Sequence, residues 1–168
     1  GATAAAPGDF YFIWASERSG YCQLYLYQYE KSSNSCKVLL DGQPIGGGGN
    51  FVVEEISAVD TTNMVVYFTG NRGSAIEKHL YAASFADTKQ TGAIKELTAH
   101  IPGVHTVAVS VKKGLVADIH SSVNNAYTLS IFNFDPNTIT TSSEVPKRVA
   151  VIYDEERSFA NAAASDLA

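Results

Sequence analysis

Residues 11–30 read YFIWASERSGYCQLYLYQYE, and this stretch decides the fold class. Both ends are rich in aromatic and aliphatic residues that favour strands, and the Ser-Glu-Arg-Ser-Gly between them is typical of a turn. The stretch therefore predicts two antiparallel strands. The pattern returns at intervals of roughly fifty residues, as VVYFTGNRGSAIEKHLYAASF at 65–85 and GLVADIHSSVNNAYTLSIFNF at 114–134.

Short strands fill the sequence around these three repeats. Periodicity and turn residues predict strands at 10–17, 22–30, 36–40, 51–59, 64–69, 78–85, 94–98, 105–111, 115–121, 126–134 and 147–153. A period of this length made only of strands is typical of propeller blades, which have four strands each. We therefore predict an all-β fold, a partial β-propeller of about three antiparallel blades.

The predicted units of this one propeller fragment are 10–41, 51–98 and 105–153. The first is incomplete, because GATAAAPGD before Phe10 has no strand pattern for an innermost strand. An exit segment follows at 154–168. Its Ala-rich end, SFANAAASDLA, predicts a short C-terminal helical segment.

Composition excludes several classes of function. The 168 residues are 45% hydrophobic and carry a net charge of −5 without a basic stripe, which argues against a nucleic-acid partner. No run approaches the roughly 18 apolar residues of a membrane span, so we expect a soluble segment without membrane contact. Cys22 and Cys36 flank a predicted hairpin and lie too far apart along it to pair, so both are predicted to be free thiols. Free thiols favour a reducing, cytoplasmic compartment.

The sequence predicts no catalytic residue, metal site or cofactor. It lacks the Gly-x-Ser-x-Gly turn that an α/β-hydrolase nucleophile requires. The nearest imitation is DIHSS, where Asp118, His120 and Ser122 share a strand face at spacings of about 7 Å, too far for a triad. The other histidines show no metal-ligand spacing and are predicted to be surface or hydrogen-bonded core residues; they are His79, His100 and His105.

The repeats also carry a family resemblance. FIWASERSGYCQLYLY at 12–27 resembles the Trp-x-Ser-Glu-Arg and Leu-Tyr signature of the dipeptidyl peptidase IV branch of the prolyl oligopeptidase family. The repeats at 65–85 and 115–135 resemble its next two blades, and PKRVAVIYDEERSFANAAA at 146–164 resembles the exit towards the peptidase domain. The chain is thus similar to the last part of the family's N-terminal propeller.

This resemblance implies a function for the whole protein rather than for the fragment. It implies an eight-bladed propeller packed on an α/β-hydrolase domain, in a serine peptidase that removes N-terminal X-Pro or X-Ala dipeptides. The fragment would shape substrate access and assembly, with the peptidase domain and peptide substrates as partners. The alternative is a self-standing propeller-type interaction module, or part of an inactive peptidase homologue. A catalytic Ser, Asp and His series downstream in the reading frame distinguishes the two.

Glu54 and Glu55 invite comparison with the double Glu by which this family grips the substrate's amino group. The resemblance places FVVEEISAVD on an inner strand after that motif, and consecutive strand residues point to opposite faces. We therefore predict that one carboxylate faces the channel and the other faces a neighbouring blade or water. The glycine-rich stretch at 42–50 lacks the strand, helix and Lys of a phosphate loop, and is predicted to be a flexible connection.

Two further predictions concern the repeats. Arg18 and Arg72 occupy equivalent turn positions, so each is expected to brace its own turn. An incomplete propeller leaves the outer faces of its end blades without partners, which predicts self-association. The residues expected on those faces are Leu24, Tyr25, Leu26 and Tyr27 of the first unit and YTLSIFNF of the third.

Overall fold

The computed structural model describes residues 7–87 and 92–156, and strands dominate these ranges. The eleven strands are β1 (Phe10–Ser16), β2 (Gln23–Glu30), β3 (Ser35–Val38), β4 (Val53–Asp60), β5 (Val65–Gly70), β6 (His79–Ser84), β7 (Ile94–Glu96), β8 (Val104–Ser110), β9 (Leu115–Ser122), β10 (Asn125–Asn133) and β11 (Lys147–Asp154). Short 3-10 turns lie at Leu40–Gly42, Ile45–Gly47 and Val111–Lys113. All eleven predicted strands are confirmed, because their alternating patterns and turn residues are local signals.

The strands form three antiparallel sheets in chain order. The first sheet contains β1–β3, the second β4–β7 and the third β8–β11, and each strand pairs with its neighbour in sequence. The all-β class is confirmed, and the arrangement is consistent with a partial propeller. The helical segment predicted at 158–168 lies outside the described residues.

The second sheet is packed between the other two. Strands β5 and β6 bury nearly every side chain, because successive residues point to opposite faces and both faces are covered. The core shared with the first sheet contains Leu24, Leu26, Leu40, Ile45, Phe51, Val53, Val66, Phe68, Tyr81, Ala83 and Phe85. The core on the other face contains Val65, Tyr67, Leu80, Ala82, Leu97, Val116, Phe132 and Ile139.

The same backbone contact joins each sheet to the next. The amide of Val53, which begins β4, donates to the carbonyl of Cys22, 2.9 Å away. The amide of His105 in β8 donates in the same way to the carbonyl of Lys78, 3.0 Å away. Cys22 directly precedes β2 and Lys78 directly precedes β6, so the two contacts are structurally equivalent.

In each of the first two repeats, one strand tyrosine braces the turn that precedes its strand. The Tyr25 hydroxyl donates to Ser19 Oγ at 3.0 Å, and the Tyr81 hydroxyl donates to the backbone carbonyl of Arg72 at 2.7 Å. These contacts explain why the repeat joins a polar turn to a Leu-Tyr strand.

The glycine-rich connection is packed against the sheets, which corrects the predicted flexible linker. Ile45 is buried in the core between the first and second sheets. Gly46 has φ +82°, and a Cβ there would lie 2.2 Å from Ile94 Cγ1. Only glycine fits a left-handed backbone pressed this closely on a neighbour.

The outer faces differ from their prediction. Leu24, Tyr25 and Leu26 are buried, at 1–2% exposure, so the prediction for them is wrong. The two leucines point inward to the second sheet, and Tyr25 is covered by the guanidinium of Arg18, 3.4 Å from its ring centroid. Within YTLSIFNF of the third unit, Tyr127 is exposed as predicted, whereas Phe132 is buried at 3% exposure. Other exposed large apolar side chains include Phe10 and Trp14 on the first sheet and Ile119 on the third.

Within the described ranges, no helix has both the length and the apolar character needed to cross a membrane.

Candidate functional site

Four buried titratable side chains meet where β6 of the second sheet approaches β8 and β9 of the third. We call His79, His105, Asp118 and His120 the histidine junction. His105 is paired with His120 across the β8–β9 hairpin, and Asp118 lies on the same face of β9. His79 opens β6 directly after Lys78, which is bonded to His105. The hairpin register and the sheet-to-sheet contact therefore assemble the group.

His105 is fully buried and has an acceptor at each ring nitrogen. Its Nε2 lies 2.9 Å from the carbonyl oxygen of Ile101 and therefore donates to it. Its Nδ1 lies 2.9 Å from Oδ2 and 3.1 Å from Oδ1 of Asp118, which is also fully buried. Because Nε2 already carries a proton, the Nδ1–carboxylate contact needs a second proton, or another cation, between its two atoms.

His120 is directed at the same carboxylate from the other side. Its Nδ1 lies 3.2 Å from Asp118 Oδ2. This nitrogen is buried and makes no hydrogen bond to any described residue, Asp118 included. The rings of His105 and His120 stack with centroids 5.3 Å apart. Burial lowers the pKa of His120, and the nearby His105 lowers it further, against the opposing attraction of Asp118. His120 therefore favours its neutral form.

His79 extends the group into the second sheet. Its ring lies 5.1 Å from that of His105, and its Nδ1 is 3.1 Å from Thr98 Oγ1. Its Nε2 faces Glu77 Oε2 at 3.3 Å. The junction therefore continues through His79 to an acidic residue nearer the surface.

The structure corrects one prediction about these residues and confirms another. Asp118 and His120 were predicted to stand too far apart for contact, but His120 Nδ1 lies 3.2 Å from Asp118 Oδ2. Ser122 is not part of a triad, because its Oγ accepts from the Asn124 amide and the Asn125 side chain. The predicted placement of the remaining histidines is confirmed, since His79 and His105 are hydrogen-bonded in the core and His100 is exposed. The sequence showed no metal-ligand spacing for them, but the fold brings His105 within 4.8 Å of ligand atoms of Asp118 and His120.

A small surface cleft lies beside the junction. It has a volume of about 150 Å³, and its polar lining includes Glu54, Asn71, Glu77 and Lys78. Lys78 Nζ lies 3.4 Å from Glu54 Oε2. Both side chains are partly exposed, so this ion pair adds little stability.

The backbone of β4 changes the predicted orientation of the two glutamates. Val53 is opposite Gly70 and Glu55 is opposite Thr69, so Glu54 is an extra, bulged residue. A bulge interrupts the alternation of faces. Strict alternation therefore cannot be assumed for Glu54 and Glu55, and both side chains are exposed.

The two turn arginines have different roles. Arg18 donates to the Tyr27 hydroxyl at 2.9 Å and to the Gly42 carbonyl at 3.1 Å, so it braces β2 and the end of the first unit rather than its own turn. Arg72 is exposed, and its side chain makes no hydrogen bond within the described ranges. The turn is fixed by the hydrogen bond that the backbone carbonyl of Arg72 accepts from the Tyr81 hydroxyl, and the guanidinium takes no part in it. The prediction of equivalent braces is therefore wrong.

The cysteine prediction is confirmed. Cys22 and Cys36 are both free, and Cys36 pairs with Tyr29 at the end of the β2–β3 hairpin.

Comparison with known families agrees with this architecture. The sequence model of the family described as "Dipeptidyl peptidase IV (DPP IV) N-terminal region" matches residues 3–127. The match covers the first and second sheets and extends through β9 to the start of β10. It therefore includes all four residues of the histidine junction and most of the chain. Because the family model matches most of the chain and the fold is an all-β stack of antiparallel sheets, the chain belongs to the family of dipeptidyl peptidase IV N-terminal regions.

Proposed function

We propose that this chain is a non-catalytic portion of the propeller of a dipeptidyl peptidase IV-like serine peptidase. The observation that carries the proposal is the family match over residues 3–127. The full-length protein would remove X-Pro or X-Ala dipeptides from peptide N-termini. The nucleophile would lie outside this chain, which has no Gly-x-Ser-x-Gly sequence.

The free edges of β4 and β8 are suited to line a passage for substrates. Each is the edge strand of its sheet, and the two strands are neighbours. Glu55 is exposed although the second sheet is covered on both faces, so its exposure arises at the edge of β4. In a propeller the blades surround a central channel, and we propose that this edge faces it.

A charge reversal at this edge tests the role in access. In the full-length protein, Glu55→Arg is expected to lower kcat/KM for a lysine-rich peptide of twenty to thirty residues by about threefold or more, through electrostatic repulsion. Hydrolysis of Gly-Pro-p-nitroanilide, which is small, should stay within about twofold of wild type. Val123→Arg is the matched control, because Val123 is 95% exposed in the β9–β10 turn.

The pattern of losses distinguishes the possible outcomes. Equal effects of Glu55→Arg and Val123→Arg on the long peptide would contradict a specific role of this edge. Absence of dipeptide release by the wild-type protein would favour the inactive homologue or the self-standing interaction module.

The outer faces are proposed to contact the rest of the assembly. Trp14 is 59% exposed on the first sheet, and Tyr127 is 59% exposed on the third. We propose that further blades cover these faces in the full-length protein, which also carries the peptidase domain. The chain produced alone is then expected to self-associate, seen as a rise in sedimenting mass with concentration. A monomer at all concentrations, without binding of a dye for apolar surface, would contradict this proposal.

A further inference from the structure

The histidine junction contains three inward-directed groups that need a cation among them. His105 Nε2 donates to the Ile101 carbonyl, which leaves Nδ1 as the atom facing Asp118. His120 Nδ1 is buried without a hydrogen bond to the described residues and lies 3.2 Å from the same carboxylate. One proton can satisfy the contact between His105 and Asp118, but it leaves His120 Nδ1 unpaired. A single cation bound to all three groups would satisfy each of them.

We propose that His105 Nδ1, the carboxylate of Asp118 and His120 Nδ1 form a binding site for a divalent transition metal of the Zn²⁺ class. Their ligand atoms all lie within 4.8 Å of one another. The site links strands β8 and β9 beside the contact with the second sheet. A bound metal would therefore clamp the third sheet at this contact and would be structural rather than catalytic.

The spacing of the ligand atoms fits such an ion. Zn²⁺ bonds of about 2.0–2.1 Å in tetrahedral geometry place neighbouring ligand atoms about 3.3 Å apart. The contacts of Asp118 Oδ2 with His105 Nδ1 and His120 Nδ1 are 2.9 and 3.2 Å. Binding would thus require these two contacts to lengthen by only a few tenths of an ångström, while the two imidazole nitrogens, which lie within 4.8 Å of each other, would adjust around the ion. A water molecule or a second carboxylate oxygen would complete the coordination.

The surroundings match those of a metal-bound histidine. A ligand histidine usually donates its other ring N–H to a carbonyl or carboxylate, which fixes the tautomer. His105 makes this contact through Nε2 to the Ile101 carbonyl. His120 is 9% exposed whereas His105 and Asp118 are at 0%, so a route for the ion lies along His120. Two imidazoles and one carboxylate favour Zn²⁺-class ions over Mg²⁺ or Ca²⁺, which prefer oxygen ligands.

Metal binding would displace the proton held between His105 and Asp118. The metal then forms bonds to both imidazole nitrogens and to the carboxylate, and the displaced proton passes to the buffer. Proton release is a readout that an ion loosely attached to surface carboxylates would not give.

Calorimetry on tag-free protein, stripped of metal by a chelator and then freed of the chelator, tests the proposal. Titration with ZnCl₂ is expected to show one saturable site, with release of about one proton when buffers of different ionisation enthalpy are compared. MgCl₂ should give no saturable binding. Titration with CoCl₂ should give the visible absorption bands of Co²⁺ bound by nitrogen and oxygen ligands.

Two histidine variants locate the site. His120→Gln is expected to weaken Zn²⁺ binding at least tenfold, because it removes one of three ligands. It should fold, since His120 Nδ1 makes no hydrogen bond to the described residues. His100→Gln is the control, because it removes an exposed imidazole outside the junction and should bind like wild type. Asp118→Asn, checked for folding by circular dichroism, should weaken binding as well.

Three results would overturn the proposal. The first is the absence of saturable Zn²⁺ binding by the wild-type protein, and the second is Zn²⁺ binding that is as tight after His120→Gln as before. Loss of binding with His100→Gln and not with His120→Gln would place the site elsewhere.

Discussion

Removal of one hydroxyl group from Tyr81 should measure what the repeated turn contact contributes to stability. The Tyr81 hydroxyl donates to the Arg72 carbonyl at 2.7 Å, while its ring is fully buried and stacks on Phe68 with centroids 5.5 Å apart. Tyr81→Phe keeps the ring and removes only the hydrogen bond. We expect a loss of about 1 kcal/mol in the free energy of unfolding, within a range of roughly 0.5–1.5 kcal/mol.

Tyr67→Phe is the matched control for this measurement. Tyr67 is also fully buried in the second sheet, on the opposite face, but its hydroxyl makes no hydrogen bond with the described residues. Removing an unpaired buried hydroxyl is expected to be neutral or stabilising. The two changes are chemically identical, so their difference isolates the bond to Arg72.

Urea unfolding followed by circular dichroism gives both values. With a slope m of about 2 kcal/mol per M, the Tyr81→Phe midpoint should fall by about 0.5 M, and the Tyr67→Phe midpoint should stay or rise. Equal losses of unfolding free energy in both variants, or a larger loss for Tyr67→Phe, would refute the claim that the Tyr81 hydroxyl is hydrogen-bonded and the Tyr67 hydroxyl is not.

Three further changes test local features of the fold. Burial raises the pKa of Asp60, but hydrogen bonds from Asn63 and Thr62 outweigh burial and hold the pKa below its ordinary value. The stabilising contribution of Asp60 is therefore complete above about pH 4 and is lost as the pH falls through the lower folded-state pKa. Asp60→Asn should make the free energy of unfolding less dependent on pH in this acid range. Gly103→Ala should lower the free energy of unfolding in urea by about 1–3 kcal/mol, because Gly103 has φ +133° and a Cβ there would lie 2.2 Å from the Ser121 carbonyl oxygen. Gly73→Ala should cost less, because a Cβ at Gly73 would have no atom within 4 Å. Arg18→Lys should lose about 0.5–1 kcal/mol, since Lys cannot reproduce the planar contact with Tyr25, and a Tm equal to wild type would contradict this.

The strands were predictable because their signals are local. Alternation and turn residues within each repeat of about fifty residues mark where a strand begins and ends. The stacking of sheets followed from β5 and β6, since VVYFT and HLYAA are apolar at nearly every position and must be covered on both faces.

The histidine junction was missed because it depends on register. His105 and His120 are fifteen positions apart in the sequence, and only the pairing of Ser110 with Leu115 brings the two rings together. The four-residue turn at 111–114 could have given this register. The bulge at Glu54 had no comparable signal, because VVEEIS reads as an ordinary strand.

The central claim, that this chain is a non-catalytic propeller portion of a serine peptidase, is tested most directly by locating the nucleophile. The full-length protein is treated with a fluorophosphonate probe that labels active serine hydrolases, and the modified residue is identified by peptide mass spectrometry. The account predicts a labelled serine outside residues 1–168, together with release of chromophore from Gly-Pro-p-nitroanilide that survives Ser121→Ala and Ser122→Ala. Labelling of a serine within residues 1–168, or activity abolished by either substitution, would contradict it.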